Sequence, residues 1–395
     1  MSAYHSTHYQ SVNDSHVNVF EHNKSQNRRS KWIVIGSVVG LLALIAVGVG
    51  VGVTLAHKNK SSSSTKSSSA TNSNSGSNSS GVTQTDPNDP STFVKNPALK
   101  QAFYGLAYTP YGSQLPNCGN NLTNVITDIQ LLSQLTTRIR LYGADCNQSA
   151  LVLEAIKQTK VNMSVFLGNY PIPTDAGAAY VRQRDTIKEA LQTYGADHVA
   201  GITVGNEFIL NYLSGNGGSQ QDPNSAVGNA GAALLLNNIT DTISMVSGLG
   251  LNIPVGNADA GSYFNNEILS AVSYGMANVH PWFAAQAVDA AAAWTADFFA
   301  TTNPKMYIAE TGWPTKSSSV AAESDGPSIA SEANLQIFMD TFVCQANQNG
   351  TGYFFFEYFD EQWKDAQFGG VEGWWGLFNA DRTLKNITIP DCQSP

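Results

Sequence analysis

Residues 199–208 read VAGITVGNEF, an apolar, β-branched run that breaks off into Gly-Asn-Glu. The segment 199–204 carries no charge and only one hydroxyl. That is the pattern of a strand covered on both faces, as parallel strands beneath crossover helices are. Such a strand ends where its polar residues begin, which puts Asn206 and Glu207 at its C-terminal tip. The pattern recurs at 306–314, MYIAETGWP, where the apolar run 306–309 leads into Glu310.

Working outward, further β-rich runs lie at 103–108, 138–142, 164–167, 253–256, 276–280 and 352–356. The segments 124–134, 149–160, 178–194, 232–247 and 330–346 between them carry apolar residues at helical spacing. Strands alternating with helices predict an α/β protein, and eight such units in about 300 residues predict a (β/α)8 TIM barrel. The active site of that fold lies at the C-terminal mouth of the strands. The expected strand ends are rich in polar and aromatic side chains: Tyr108, Arg140 and Tyr142, Asn169 and Tyr170, Asn206 and Glu207, Asp259, His280 and Trp282, Glu310, and Glu357.

The barrel accounts for residues 96–395, and the first 95 divide differently. Residues 1–31 are Ser-, Asn- and His-rich, lack apolar periodicity and end in Lys24, Arg28, Arg29 and Lys31, so they are expected to be a disordered tail. Residues 33–56 contain no charge and at helical rise span about 36 Å, enough for a hydrocarbon core of about 30 Å. A transmembrane helix is expected over 32–56. It starts too late and runs too long for a cleaved signal peptide. Two GxxxG steps in it, Gly36 to Gly40 and Gly48 to Gly52, would allow a dimer, although glycine is common in membrane helices anyway. Residues 57–95 read as a Ser/Thr/Asn-rich stalk with a Pro-containing end.

Asn121, Asn147, Asn162, Asn238, Asn349 and Asn386 each open an N-x-S/T sequon, and the four cysteines are an even set. Together they favour a glycosylated domain in an oxidising compartment. The expected topology is single-pass type II in the plasma membrane, with a cytoplasmic tail and an extracellular barrel. Four cysteines allow three pairings. Cys118–Cys146 is expected because the two follow neighbouring strands, and Cys344–Cys392 because it ties the C-terminal tail to the last long helix.

From residue 91 onward, 14 Lys/Arg stand against 26 Asp/Glu. An acidic domain repels polyanions, so nucleic acid is an unsuitable partner. No His/Cys cluster has metal spacing and no glycine loop suits a phosphate or dinucleotide, so neither metal nor cofactor is expected.

With GITVGNEF at 201–208 and YIAETGWP at 307–314, and supporting matches in RIRLYGADC, NVHPWF, FFFEYFDEQWK and GGVEGWWGLF, the chain resembles glycoside hydrolase family 17 from about Phe103 to Cys392. The likeness is greatest to the family's fungal membrane-anchored endo-β-1,3-glucanases. The resemblance implies a retaining double displacement on β-1,3-glucan, with Glu310 as nucleophile and Glu207 as general acid/base. It implies that Asn206 binds the sugar 2-hydroxyl and that Arg140, Tyr142 and Asn169 line the mouth. His280 reads as a group near the nucleophile or as a core histidine, and Trp282 as a sugar platform. Of Glu357 and Glu361, one would bind sugar beside Trp363 while the other pairs with Lys364 or Arg140. Tyr108, Trp313, Trp374 and Trp375 present faces suited to pyranose C–H surfaces, or fill the core. Hydrolysis, transglucosylation and non-catalytic glucan binding by a membrane protein all remain open at this point.

Overall fold

Eight parallel strands close into a barrel in the order of the chain. They are β1 (Gly105–Ala107), β2 (Arg138–Arg140), β3 (Ser164–Asn169), β4 (Val199–Asn206), β5 (Val255–Ala260), β6 (Tyr274–Asn278), β7 (Met306–Thr311) and β8 (Tyr353–Phe355). The last pairs with the first through Phe354↔Gly105. The computed structural model describes residues 82–218, 222–301 and 306–395. The expected tail, the membrane span with its GxxxG steps, and most of the stalk lie outside the described residues. Among the described residues no helix is long and apolar enough to cross a membrane.

The helices are α1 (Leu122–Leu132), α2 (Gln148–Thr159), α3 (Ala178–Tyr194), α4 (Phe208–Gly215), α5 (Ala226–Gly248), α6 (Asn266–Ala271), α7 (Val288–Ala300), α8 (Glu332–Gln348) and α9 (Gln362–Phe368). Their sequences explain where they begin and which face they bury. Asn121 starts α1 by accepting from the Asn124 N–H, and Ser331 starts α8 by accepting from the Asn334 N–H. A cap of that kind stabilises a helix by about 1 kcal/mol. In α8, Leu335, Phe338, Met339, Phe342, Val343 and Ala346 form one buried stripe at helical spacing.

The barrel interior is filled by rings. Phe166, Tyr274 and Phe354 meet edge-on, with centroids 5.5 and 5.3 Å apart around Phe166. Room for Tyr274 exists because position 256 is glycine: a Cβ there would lie 2.1 Å from the ring. Removing one such buried ring costs about 3–5 kcal/mol.

Two sequence expectations change. Residues 82–95, read as the end of the stalk, belong to the folded unit. Thr83–Gln84 pairs with Phe93–Val94, Val82 is buried in the core, and Gln130 donates to the Pro90 carbonyl at 2.7 Å. Asp86 and Asp89 close the turn by accepting from the backbone N–H groups two residues on, which is what Asp does in turns. The fifth strand also runs later than 253–256. Its polar residues Asn257 and Asp259 are buried in the strand instead of marking a loop. The disulfides are the expected pairs, with Cα atoms 5.1 Å apart for Cys118–Cys146 and 5.8 Å for Cys344–Cys392.

Candidate active site

The mouth of the barrel opens into a cavity of about 530 Å³ that takes in both Glu207 and Glu310. Glu207 reaches it through an irregular strand end. The β4–β5 register shifts between Thr203 and Asn206, and Glu207 adopts a left-handed conformation (φ +55°) as the residue that starts α4. Side chains other than glycine adopt that conformation at a cost and tend to do so at functional sites. Beneath it, buried Asp259 accepts the Ile209 N–H at 2.9 Å and so anchors the first turn of α4.

Glu310 is the last residue but one of β7 and lies opposite Asn278 of β6, again at a register shift. Each of its carboxylate oxygens is held. Arg140 Nη1 donates to Oε1 at 3.0 Å, and His280 Nε2 lies 3.0 Å from Oε2. With Nε2 protonated, His280 is the donor. Arg140 also donates to Asn206 Oδ1 at 2.7 Å and lies over the Tyr142 ring, its guanidinium carbon 4.3 Å from the centroid. Asn278 Nδ2 donates to Glu207 Oε1 at 3.0 Å. Strands β2, β4, β6 and β7 thus converge on one hydrogen-bonded set that contains both carboxylates.

The two carboxylates are held in opposite states. Glu207 is pushed up to about 7, first by burial and then by the charge of Glu310, against the hydrogen bond from Asn278. Burial is also the largest influence on Glu310 and would raise it. The His280 hydrogen bond and the Arg140 charge outweigh burial and hold Glu310 down at about 2. Between those values one group is ionised and its neighbour protonated, the combination that couples nucleophilic attack to proton donation.

Of the other residues expected at the mouth, Asn206, Arg140 and Tyr142 stand in this set or against it, while His280 and Trp282 line the cavity. Trp375 lines it as well. The structure puts several elsewhere. Tyr108 is fully buried and donates to Asp128, which also holds Arg382; an apolar ring with one internal acceptor belongs to the core. Trp313 is likewise fully buried, packed on Phe338 and donating to the Ile329 carbonyl. Asn169 donates to the Tyr180 carbonyl and ties β3 to α3. Trp374 lies under the ammonium of Lys316, 4.3 Å from its ring centroid.

Glu357 and Glu361 do not divide between sugar and cation. Lys364 Nζ binds both, at 2.6 and 3.4 Å, and Trp363 Nε1 donates to Glu361. Burial and the charge of Glu361 raise Glu357 well above the carboxylate range, against the pull of Lys364. Lys364 is shared between the two carboxyls, and these side chains are not part of the cavity wall.

Asn278 and Glu372 are cavity residues without an expected role. Asn278 lies two positions before His280 in ANVHPWF, inside what reads as strand rather than strand end. Glu372 sits in GGVEGWWGLF and is pushed up to about 7, mainly by burial. Among the described residues no group of His, Cys, Asp and Glu is arranged to hold a metal ion. Asn121, Asn147, Asn162, Asn349 and Asn386 are exposed, and Asn238 is half-buried on α5.

The BtgE/BtgC glycoside hydrolase domain model matches residues 105–376. The sequence is 34% identical over 330 residues to the probable glucan endo-1,3-beta-glucosidase btgC of Aspergillus terreus, covering 78% of this chain and 48% of that protein. The chain spans about half the length of the curated relatives it matches. Its fold resembles the glycoside hydrolase family 17 β-1,3-glucanosyltransferase of Rhizomucor miehei, with a TM-score of 0.58 and 25% identity over 74% of this chain and 100% of that one. An active-site mutant of that enzyme in complex with laminaritriose gives a TM-score of 0.59 and 25% identity over 73% of this chain and 98% of that one.

Proposed function

The chain belongs to glycoside hydrolase family 17 through its BtgE/BtgC glycoside hydrolase domain, and on that premise we propose that it cleaves internal β-1,3-glucosidic bonds of cell-wall glucan by a retaining double displacement. The observation that carries this reading is the pair of carboxylates in one cavity, Glu207 at about 7 and Glu310 at about 2.

In the first step a Glu310 oxygen attacks the anomeric carbon as the bond to the leaving oxygen breaks, and Glu207 gives its proton to that oxygen. Retaining pairs act at a carboxylate spacing of about 5–5.5 Å. Once Glu310 is esterified its charge is gone, and with it one of the causes that raised Glu207. Glu207, now a carboxylate whose pKa has fallen, takes a proton from the incoming hydroxyl as that oxygen attacks the same carbon and Glu310 leaves. Arg140 keeps the nucleophile ionised, and Asn206, held by Arg140, is positioned to bind the 2-hydroxyl.

Water and a sugar hydroxyl are alternative acceptors in the second step. Likeness to a β-1,3-glucanosyltransferase favours transglucosylation as the second reading. Intact Glu207 and Glu310 argue against a glucan-binding protein without turnover. We place the barrel outside the cell on a type II plasma-membrane anchor, supported by the uncharged run 33–56, the sequons and the two disulfides.

The test is laminarihexaose digestion followed by proton NMR and product sizing. New reducing ends should appear first as the β-anomer, with longer products emerging at high substrate concentration if transfer operates. First release of the α-anomer would refute retention, and no cleavage would refute the glucanase reading.

A further inference from the structure

We propose that Trp294 and Phe298 form the platform for the sugar on the leaving-group side of the cleft, and that this platform decides how much of the glycosyl-enzyme goes to a sugar acceptor instead of water. The inference rests on the retaining glucanase reading above.

The cavity has two ends relative to the carboxylates. Toward β8 and Glu310 it is walled by Phe356, the segment 368–372 and Trp375. Toward β5, the barrel neighbour of β4 and Glu207, it is walled by Leu210 and Asn211 of α4 and the loop 260–263, and α7, which follows β6, reaches that loop by laying Phe298 against Gly261 with Trp294 beside it. Glu207 is the group that protonates the leaving oxygen, so the sugar carrying that oxygen lies on Glu207's side of the cleft. An incoming acceptor hydroxyl, deprotonated by the same carboxylate, occupies the same place.

That end is built to present rings. Trp294 and Phe298, four residues apart on one face of α7, are stacked with centroids 5.1 Å apart at 21°. Both are half-buried, while Ala291, Ala292 and Thr295 supply the face of α7 that packs inward. Phe298 reaches the cavity over Gly261, where a Cβ would meet its Cε1 at 2.4 Å. Stacked rings offer a flat apolar surface to the C–H face of a glucosyl unit. Held there, an acceptor attacks from a preset position and outcompetes water, because positioning replaces a bimolecular encounter.

The test uses the full chain with laminaribiosyl β-fluoride as donor and laminaritriose as acceptor. Glycosyl-enzyme forms as the C–F bond breaks and fluoride leaves, with no sugar on the acceptor side. It is then partitioned by the 3-hydroxyl of the acceptor, whose proton goes to Glu207. Fluoride release without acceptor should stay within about threefold of wild type in W294A/F298A, whereas the ratio of transfer to hydrolysis should fall about tenfold or more, as expected for losing ring contacts of this kind. W294F, which keeps a ring face, should recover most of the ratio. An unchanged ratio in the double variant overturns the proposal, and so does a parallel fall in fluoride release with no recovery in W294F, which marks the pair as packing only. Wild-type protein that neither releases fluoride nor cleaves laminarihexaose refutes the glucanase reading itself, and this inference with it.

Discussion

Replacing Arg140 by Met removes the guanidinium that lies 3.0 Å from Glu310 while keeping an unbranched stem over Tyr142. Glu310 is held at about 2 against an ordinary 4.5 even though burial pushes it the other way. That gap of about 2.5 units corresponds to about 3 kcal/mol in favour of the ionised form, at 1.36 kcal/mol per unit. An opposite charge at hydrogen-bond distance contributes about 1–3 units. With Arg140 gone, only His280 opposes burial, and the Glu310 pKa should rise to between about 3 and 5. The free-enzyme pH profile of kcat/KM reports the nucleophile on its acid limb and the proton donor on its alkaline limb. Wild type should therefore stay flat from about pH 3 to about pH 6 and fall through about 7 as Glu207 ionises. In R140M the acid limb should move up into view, narrowing the bell from one side only. Stripping a buried carboxylate of its partner also destabilises by about 3–5 kcal/mol, so R140M/E310Q, which removes the orphaned charge, should regain stability without activity. An acid limb that does not move in R140M would refute the reasoning.

Glu207 binds its proton more tightly folded than unfolded, so its contribution to stability falls as pH rises from the ordinary 4.5 through about 7. Denaturant melts should show E207Q equal to wild type near pH 4 and more stable near pH 8 by up to about 3 kcal/mol, an upper figure because the cavity is open to water; no gain at alkaline pH would contradict it. Removing Cys344–Cys392 as the double Ser variant releases a loop closed over 48 residues and should cost about 4 kcal/mol, with slightly less for Cys118–Cys146 at 28, measured by thermal unfolding against wild type. Protease added to intact wall-stripped cells should digest the barrel and spare residues 1–31; the reverse pattern would reject the proposed type II topology.

The barrel was legible because its strands are covered on both faces and end abruptly in polar residues, so VAGITVGNEF and MYIAETGWP announce both the strand and the residue at its tip. Asn257 and Asp259 were harder to place for a related reason. They are polar side chains buried inside a strand, and local pattern treats a polar residue as the end of a strand. Aromatic residues divide for reasons the sequence does not carry. Trp313 and Trp375 both lie beyond strand ends and are equally buried, yet only Trp375 borders the cavity, because the choice depends on which loop folds over which strand. Lys364 explains Glu357 and Glu361: a cation three residues after one of them could be expected to pair with it, but that it would take both follows only from the turn that brings α9 back over β8.

Azide trapping reads the division of roles between Glu310 and Glu207. In E310A, azide entering the vacated space should attack the substrate from the face opposite the leaving group and yield an α-glycosyl azide. In E207A the nucleophile remains, so an aryl glucoside that needs little acid assistance should still form the glycosyl-enzyme, and azide should resolve it to the β-azide. Both variants should lose several orders of magnitude on unactivated glucan. A β-azide from E310A, or near-native glucan cleavage by either variant, would contradict the account.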